Sequence, residues 1–492
     1  MSLKQKALTG FKWTSISTIL SVLLQFGQIS ILARLLDSQV FGLMALILVV
    51  VNFSELFMDL GITNSIIQKK NIITKELSSL YWLNIFLGII ITLIVWNTSW
   101  VIANVIFHEP ILEDYIKLVS INFLIMSLGQ QYKALLLKEL IFNLISKIEI
   151  FSYLLGVICS IIFAFVGYEV ESLIYGLLIN NIVRTILLIG FGRKRYRPKL
   201  YFSFNDTKRF LNFGLYQMGV SIVNYFNSRI DTLIIGRVVG AVALGFYTIP
   251  FNIIIQPSIK INPIITRVIF PVFSKIQDDI DKIKKSYFRV LSLLIYVNLP
   301  IFCGLFFISP VLIPVIFGEN WSPSIQILQI LCGVGFLRAI GNPVGSLLMA
   351  IGKVDLEFKF NIIKTIIQVP GIYLGAKIGG ILGVAIVYLI LQIFYAFFNY
   401  FYLLRNVFGP CFNDYLKAFI PAIKPTFVMS IIVWGCGEII TTNNEILIMI
   451  LQILVGVLSY FIISIFYNNW IIIEVKELIK KNQKDIKNYK LR

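Results

Sequence analysis

Polar chemistry is scarce in this chain. One histidine, His108, and five cysteines scattered at 159, 303, 332, 411 and 436 give neither the spacing of a zinc site nor a disulfide framework. The phosphate-cradling pattern G-x-x-x-x-G-K-[ST] is absent, so ATP hydrolysis within this chain is not expected, and H-E-x-x-H is missing too. No metal and no cofactor is expected. Long polar segments are lacking as well: inner loops reach about 20 residues and outer ones are mostly shorter still, which leaves no room for a soluble catalytic domain. Charged residues make up only 14% of the 492 positions.

What fills the chain instead is hydrophobic: 58% of residues, with a mean hydropathy of +0.86. Such a composition belongs to an integral membrane protein. A spanning helix needs about 20 mostly apolar residues to cross roughly 30 Å of hydrocarbon. Fourteen such runs are found, near 11–33, 40–60, 80–105, 114–136, 148–167, 171–191, 211–236, 243–269, 288–308, 322–350, 358–377, 381–403, 417–437 and 446–467. Barrel strands alternate every second residue over about ten positions, which these runs do not do. An all-α membrane protein is therefore expected. The first run is too long for a signal core and lacks a small-residue cleavage site, so it counts as a span.

The net charge of +18 is placed by the membrane and not by nucleic acid. With the N-terminus in the cytoplasm, most of the 43 lysines and arginines fall in inner loops and tails, which predicts both termini cytoplasmic. "RKRYRPK" at 193–199 reads as a topology anchor, and the basic tail from 471 to 492 as a segment in water or along the inner surface. His108 reads as a solvated loop residue.

An internal repeat organises the chain. "ILARLLDSQVFGLMAL" at 31–46 aligns without a gap on "IIGRVVGAVALGFYTI" at 234–249, with Arg34 matching Arg237 and Gly42 matching Gly245. Six spans separate the copies, so the two halves share one orientation, as in transporters with parallel repeats. Expected domains are a six-helix lobe at 1–205, a second at 206–408, two additional helices at 409–470 and the tail at 471–492.

"ILARLLDSQVFGLMALI" after "LTGFKWT", together with "MAIGKVDLEFKFNIIK" at 349–364, resembles oligosaccharide flippases. These belong to the polysaccharide-transport branch of the multidrug/oligosaccharidyl-lipid/polysaccharide exporter superfamily, of the Wzx O-unit and colanic or teichuronic acid exporter types. The resemblance spans roughly residues 8–405. Members often carry a proline and acidic residues where this chain has "DSQVFG", a departure confined to a structural turn. The resemblance implies a V-shaped pair of lobes in the bacterial cytoplasmic membrane. By alternating access these would move polyprenyl-diphosphate-linked oligosaccharide outward for O-antigen, capsule or exopolysaccharide synthesis. It also implies membrane lipids, a polysaccharide polymerase and glycosyltransferases as partners, and no nucleic acid.

An ionisable residue inside a span costs about 2.5–3.5 kcal/mol on insertion scales, so it faces protein or a water-filled cavity. Arg184, Arg229, Lys260 and Arg338 lie deep, and Lys133, Arg267, Lys364 and Lys424 nearer the inner face. Arginine's planar fork suits a diphosphate. This makes Arg229, Lys260, Arg338 and Arg184 candidates for substrate binding. Glu55, Asp59 and Asp231 are candidates for ion coupling or charge pairing. In the resembled fold, spans one, two, seven and eight line the cleft; there Gln25, Gln28, Asn52, Asn224 and Asn227 can meet sugar hydroxyls or serve helix packing. Arg229 and Asp231 stand two apart and so cannot face each other on one helix. The expectation is that Arg229 meets the cleft while Asp231 turns to a cation on a neighbouring span. Pro250, Pro257 and Pro263 mark the eighth span as a bending element or a statically curved one.

Two other functions compete. A multidrug-type exporter of small cations would meet its cargo with carboxylates, whereas basic groups are in excess here. A membrane polymerase or glycosyltransferase would carry a large outer loop, and none exists.

Overall fold

The computed structural model describes residues 3–59, 61–69, 72–263, 273, 276, 279–439 and 444–467. Arg267 and the basic tail lie outside them. The described residues are helical, with no strand. In chain order the helices are α1 (Leu3–Leu35), α2 (Ser38–Asp59), the short α3 (Ile62–Gln68), α4 (Thr74–Trp100), α5 (Leu112–Lys138), α6 (Phe142–Phe165), α7 (Val170–Gly192), α8 (Phe204–Val238) and α9 (Ala241–Gln256). They continue with α10 (Ile280–Phe317), α11 (Ser324–Ala350), α12 (Val354–Phe398), the short α13 (Phe412–Lys417), α14 (Ile420–Ile439) and α15 (Glu445–Tyr467).

Each of the fourteen sequence runs falls on helix over nearly all of its described length. Among the described residues, eleven stretches are long and apolar enough to cross a membrane. The stretch from Asp355 to Phe408 is one of them, although α12 alone has 45 residues and an α-helix of that length would run about 68 Å, twice the hydrocarbon thickness. Its helix is broken at Gly379 and Gly380, and φ of +56° at Gly380 is a conformation that favours glycine. The arms on either side meet closely enough that a Cβ on Gly383 would stand 2.2 Å from the Gly375 carbonyl oxygen.

Lipid removes the hydrophobic drive between helices, so packing here rests on small residues and buried polar pins. On α6 and α7, Gly156 and Gly176 lie against each other's carbonyls. Asn181 on α7 donates to Asn122 Oδ1 on α5 at 2.7 Å, and Gln131 Nε2 on α5 donates to the Leu77 carbonyl on α4 at 2.8 Å. The outward faces remain apolar and exposed, as at Phe86, Ile94, Phe165, Phe427 and Phe461. The 193–199 loop is tied down: Tyr196 is buried and its hydroxyl bonds Ser78 Oγ at 2.9 Å, while Arg195 pairs with Glu139 at 2.8 Å.

The chain divides into two compact units, Met1–Thr248 and Ile249–Arg492. In the first, the repeat copies meet. A Cβ on Gly42 of α2 would stand 1.8 Å from the Ala241 carbonyl oxygen, and one on Gly245 of α9 would stand 1.8 Å from that of Ser38. Ser38 and Ala241 are 203 positions apart, as are the two glycines (241 − 38 = 245 − 42). These are thus two symmetry-related copies of one contact, in which each glycine receives the first residue of the other helix. Beside it, Arg237 at the end of α8 donates to the Val105 carbonyl at 2.6 Å and to that of Ile106, at the π-helical end of α4. Pro250 is carried inside α9, and Pro257 opens a π-helical turn, Pro257–Ile261, that holds Lys260.

Candidate functional site

A cavity of ≈ 690 Å³ lies within the first unit, lined from α2, α3, α5, α7 and α8. Its charged lining is Glu55 from α2, Lys133 from α5, Arg184 from α7 and Arg229 from α8. Asn52 and Asn181 add amides. Four helices thus each bring one ionisable group to a common space, three of them basic.

The basic groups are held from behind by a carboxylate that sequence reading did not single out. Glu149, near the start of α6, accepts from Lys133 Nζ at 2.8 Å and stands 3.8 Å from Arg184 Nη2. All three side chains are about one-third exposed, and of the three Lys133 and Arg184 line the cavity while Glu149 stands outside its lining. Glu149 sits one position inside the fifth apolar run, where a depth criterion treats it as an end residue. Its spacing from Lys133 across a short loop was the signal that could have revealed it. Arg184 also lies within electrostatic reach of Glu55, and Tyr225, another lining residue, donates its hydroxyl to the Val49 carbonyl at 2.7 Å.

Arg229 and Asp231 part company, as their spacing requires. Arg229 lines the cavity; Asp231 is 1% exposed and accepts from the Tyr247 hydroxyl on α9 at 2.9 Å. The remaining candidates are dispersed. Gln28 on α1 is held by α6, donating to Ser160 Oγ at 2.8 Å and accepting from the Tyr153 hydroxyl at 3.2 Å. Gln25 and Asn227 are half-buried and Asn224 is exposed, and none of the three lines the cavity. The side chain of Asp59 lies outside the described residues. His108 is exposed, with a left-handed backbone at φ +58°, and its ring bonds the Asn104 carbonyl.

Lys260 and Arg338 belong to the second unit. Lys260 is half-buried on its π-helical turn. Arg338 lines a separate pocket of ≈ 220 Å³ with Lys364, and its Nη1 donates to the Tyr388 hydroxyl at 2.8 Å. Among the described residues, no group of three or more His, Cys, Asp or Glu side chains could hold a metal ion.

Comparison with known proteins places this architecture. Residues 31–326 match the family model described as polysaccharide biosynthesis protein. The lipopolysaccharide biosynthesis protein WzxC of Escherichia coli K12 is 39% identical over 442 residues, covering 88% of this chain and 90% of that protein. The teichuronic acid biosynthesis protein TuaB of Bacillus subtilis 168 is 32% identical over 88% of this chain and 89% of its own length. Among solved structures, the lipid II flippase MurJ in an inward closed conformation has the same fold, with a TM-score of 0.72 at 19% identity over 93% of this chain and 99% of that one.

Proposed function

Because this chain belongs to the polysaccharide biosynthesis protein family, and shares its fold with a lipid flippase, we propose that it carries polyprenyl-diphosphate-linked oligosaccharide repeat units across the cytoplasmic membrane by alternating access. The observation that carries the reading is the cavity of the first unit, where Arg229, Arg184 and Lys133 outnumber Glu55 in a space large enough for a diphosphate and its first sugar. Guanidinium forks bind phosphate oxygens through paired hydrogen bonds, and positive charge in a cavity supported by only one lining carboxylate suits an anionic passenger. Asn52 and Asn181 supply amides to sugar hydroxyls.

In this reading fourteen spans form two lobes, 1–205 and 206–408, with 409–470 appended and both termini cytoplasmic. The polymerase and glycosyltransferases of the same pathway work on either side of the transport step. Of the carboxylates considered for ion coupling, Glu55 is favoured in this reading because it lines the same cavity as Lys133, Arg184 and Arg229. Deleting the gene in the native host and analysing lipid extracts by mass spectrometry tests the proposal. A polyprenyl-linked glycan should accumulate on the inner leaflet and clear when the gene is restored. Unchanged lipid-linked glycan, with surface polysaccharide intact, would end this reading.

A further inference from the structure

The second unit holds a pocket that the transport reading does not use. It is small, ≈ 220 Å³, and formed largely by α11 and α12. Arg338 and Lys364 supply positive charge, within electrostatic reach of each other, and Glu357 supplies one carboxylate, seated against Gly345. The Lys364 ammonium lies over the Tyr395 ring, 5.2 Å from its centroid.

Two amides decide what fits. Gln392, 5% exposed, lines this pocket with its Nε2 buried and without a hydrogen-bond partner; Asn399, another lining residue, has its Oδ1 in the same state. Leaving a buried polar atom unmade costs about 1–3 kcal/mol, so these atoms are suited to a ligand that satisfies both. One needs an acceptor and the other a donor, and a hydroxyl is both. Two cations against one carboxylate suit a single negative charge. A diphosphate carries more charge, and Glu357 would repel it.

The pocket also opens onto an apolar track. Phe360 lines it and stacks on Phe398, with ring centroids 5.4 Å apart. Phe398 stacks in turn on Phe394 and Tyr402 at 5.9 and 5.2 Å, with interplanar angles of 10° and 17°. The four-residue spacing of 394, 398 and 402 lays these rings along one face of the helix. Phe394 is 46% exposed at the outer end.

We infer that this pocket binds the head of an anionic phospholipid whose phosphodiester carries a polyol, the chemistry of phosphatidylglycerol. The phosphate meets Arg338 and Lys364, the head-group hydroxyls meet Gln392, Asn399 and Glu357, and an acyl chain lies along the Phe360–Phe398–Phe394 rings. Basic pockets between transmembrane helices hold anionic head groups in this way. The site is independent of the cargo: it would exist whether or not the first unit's cavity carries a lipid-linked sugar.

Native mass spectrometry of the delipidated full-length protein tests it, with phosphatidylglycerol, phosphatidylcholine, polyprenyl phosphate and inorganic phosphate as separate titrants. Phosphatidylglycerol should bind in preference to the other three. Gln392→Leu removes the unpaired amide at nearly constant volume, and Lys364→Met removes the charge; each should lower phosphatidylglycerol occupancy roughly tenfold, the loss of about one charge-assisted or buried hydrogen bond. Arg229→Ala, in the other unit, should leave occupancy unchanged. If Lys364→Met fails to fold, Gln392→Leu and the exposed Phe394→Ala decide. Equal binding of phosphatidylcholine, or wild-type occupancy in the pocket variants, overturns the inference. Polyprenyl phosphate displacing phosphatidylglycerol would make this a cargo site instead, and inorganic phosphate binding with the same sensitivity to the variants would make it an anion site without lipid.

Discussion

The first unit's cavity and the second unit's pocket are both basic, yet they manage their cations differently. In the cavity, Lys133 and Arg184 are held from behind by Glu149, a carboxylate that leaves their remaining donors turned to the open space. In the pocket, Arg338 bonds the neutral Tyr388 hydroxyl and Lys364 faces an aromatic ring, while two amide atoms remain unpaired. A cation anchored by a carboxylate keeps its geometry when a ligand leaves. One anchored by neutral groups, beside unpaired amides, gains most from a ligand that stays. The larger space therefore suits a cargo in transit and the smaller one a resident lipid.

The largest effect should come from close backbone contacts at glycines in the two units. Gly42 and Gly245 in the first unit, and Gly383 in the second, lie where a Cβ would stand 1.8–2.2 Å from a carbonyl oxygen, so no rotamer change relieves the clash. Valine at any of them should cost about 3 kcal/mol or more and appear as lost monodisperse protein by fluorescence size-exclusion chromatography. If Gly42→Val and Gly245→Val lowered yield while Gly383→Val did not, tight glycine packing would be a property of the repeat contact alone.

Next come the arginines, where the two regions should diverge. Arg229→Ala should reduce export by about 10–100-fold with normal protein levels, the equivalent of about 1.5–3 kcal/mol for hydrogen bonds to a charged group. Arg229→Lys, which keeps the charge but loses the fork, should fall between it and wild type. Arg338→Ala should lower export only a few-fold, because its pocket is assigned to a lipid. Export lost as completely with Arg338→Ala as with Arg229→Ala would erase the distinction between cargo site and lipid site.

Much of this was legible in the sequence. Apolar runs of spanning length showed the helical membrane fold, because lipid leaves few other ways to satisfy a backbone. The repeat was legible down to its glycines: the offset of 203 that aligns Gly42 with Gly245 also relates the two residues they touch. Separate directions for Arg229 and Asp231 followed from helix geometry alone. The hydrogen bond from Tyr247 to Asp231 did not, because a hydroxyl carries no signal of depth or charge. Glu149 escaped for a related reason, since its role depends on which helices are neighbours. Arg338 reads as deep and basic in sequence, as Arg229 does; its place on the tenth span, outside the four that line the cleft in the resembled fold, already weakens its claim, and the tertiary contacts put the two arginines in different spaces.

Glu149→Gln sharpens the comparison at smaller amplitude. Glutamine keeps the volume and one hydrogen bond but removes the charge that fixes Lys133 and Arg184. With these groups about one-third exposed, the loss in stability should be about 1 kcal/mol or less, visible as a small fall in melting temperature. Export should drop about fivefold because two cations lose their positions, an effect expected where geometry and not charge alone serves the cargo. Among the described residues Glu357 in the second unit forms no ion pair, and Glu357→Gln should change export less. Equal effects of the two substitutions would remove the contrast in anchoring.

The smallest effect should be that of Gln28. Its amide ties α1 to α6 through Ser160 and Tyr153, and it does not line the cavity. Interhelical hydrogen bonds in membranes contribute about 0.6 kcal/mol on average. Gln28→Leu keeps the bulk, so melting should shift by no more than a degree or two, and export should match wild type once corrected for protein amount. Asn52→Leu, one helix away but on the cavity wall, has similar chemistry and should lower export with equally little effect on melting. If Gln28→Leu impaired export as much as Asn52→Leu, then α1 would take part in handling the cargo, and the cavity as drawn by α2, α3, α5, α7 and α8 would be too small a description of the site.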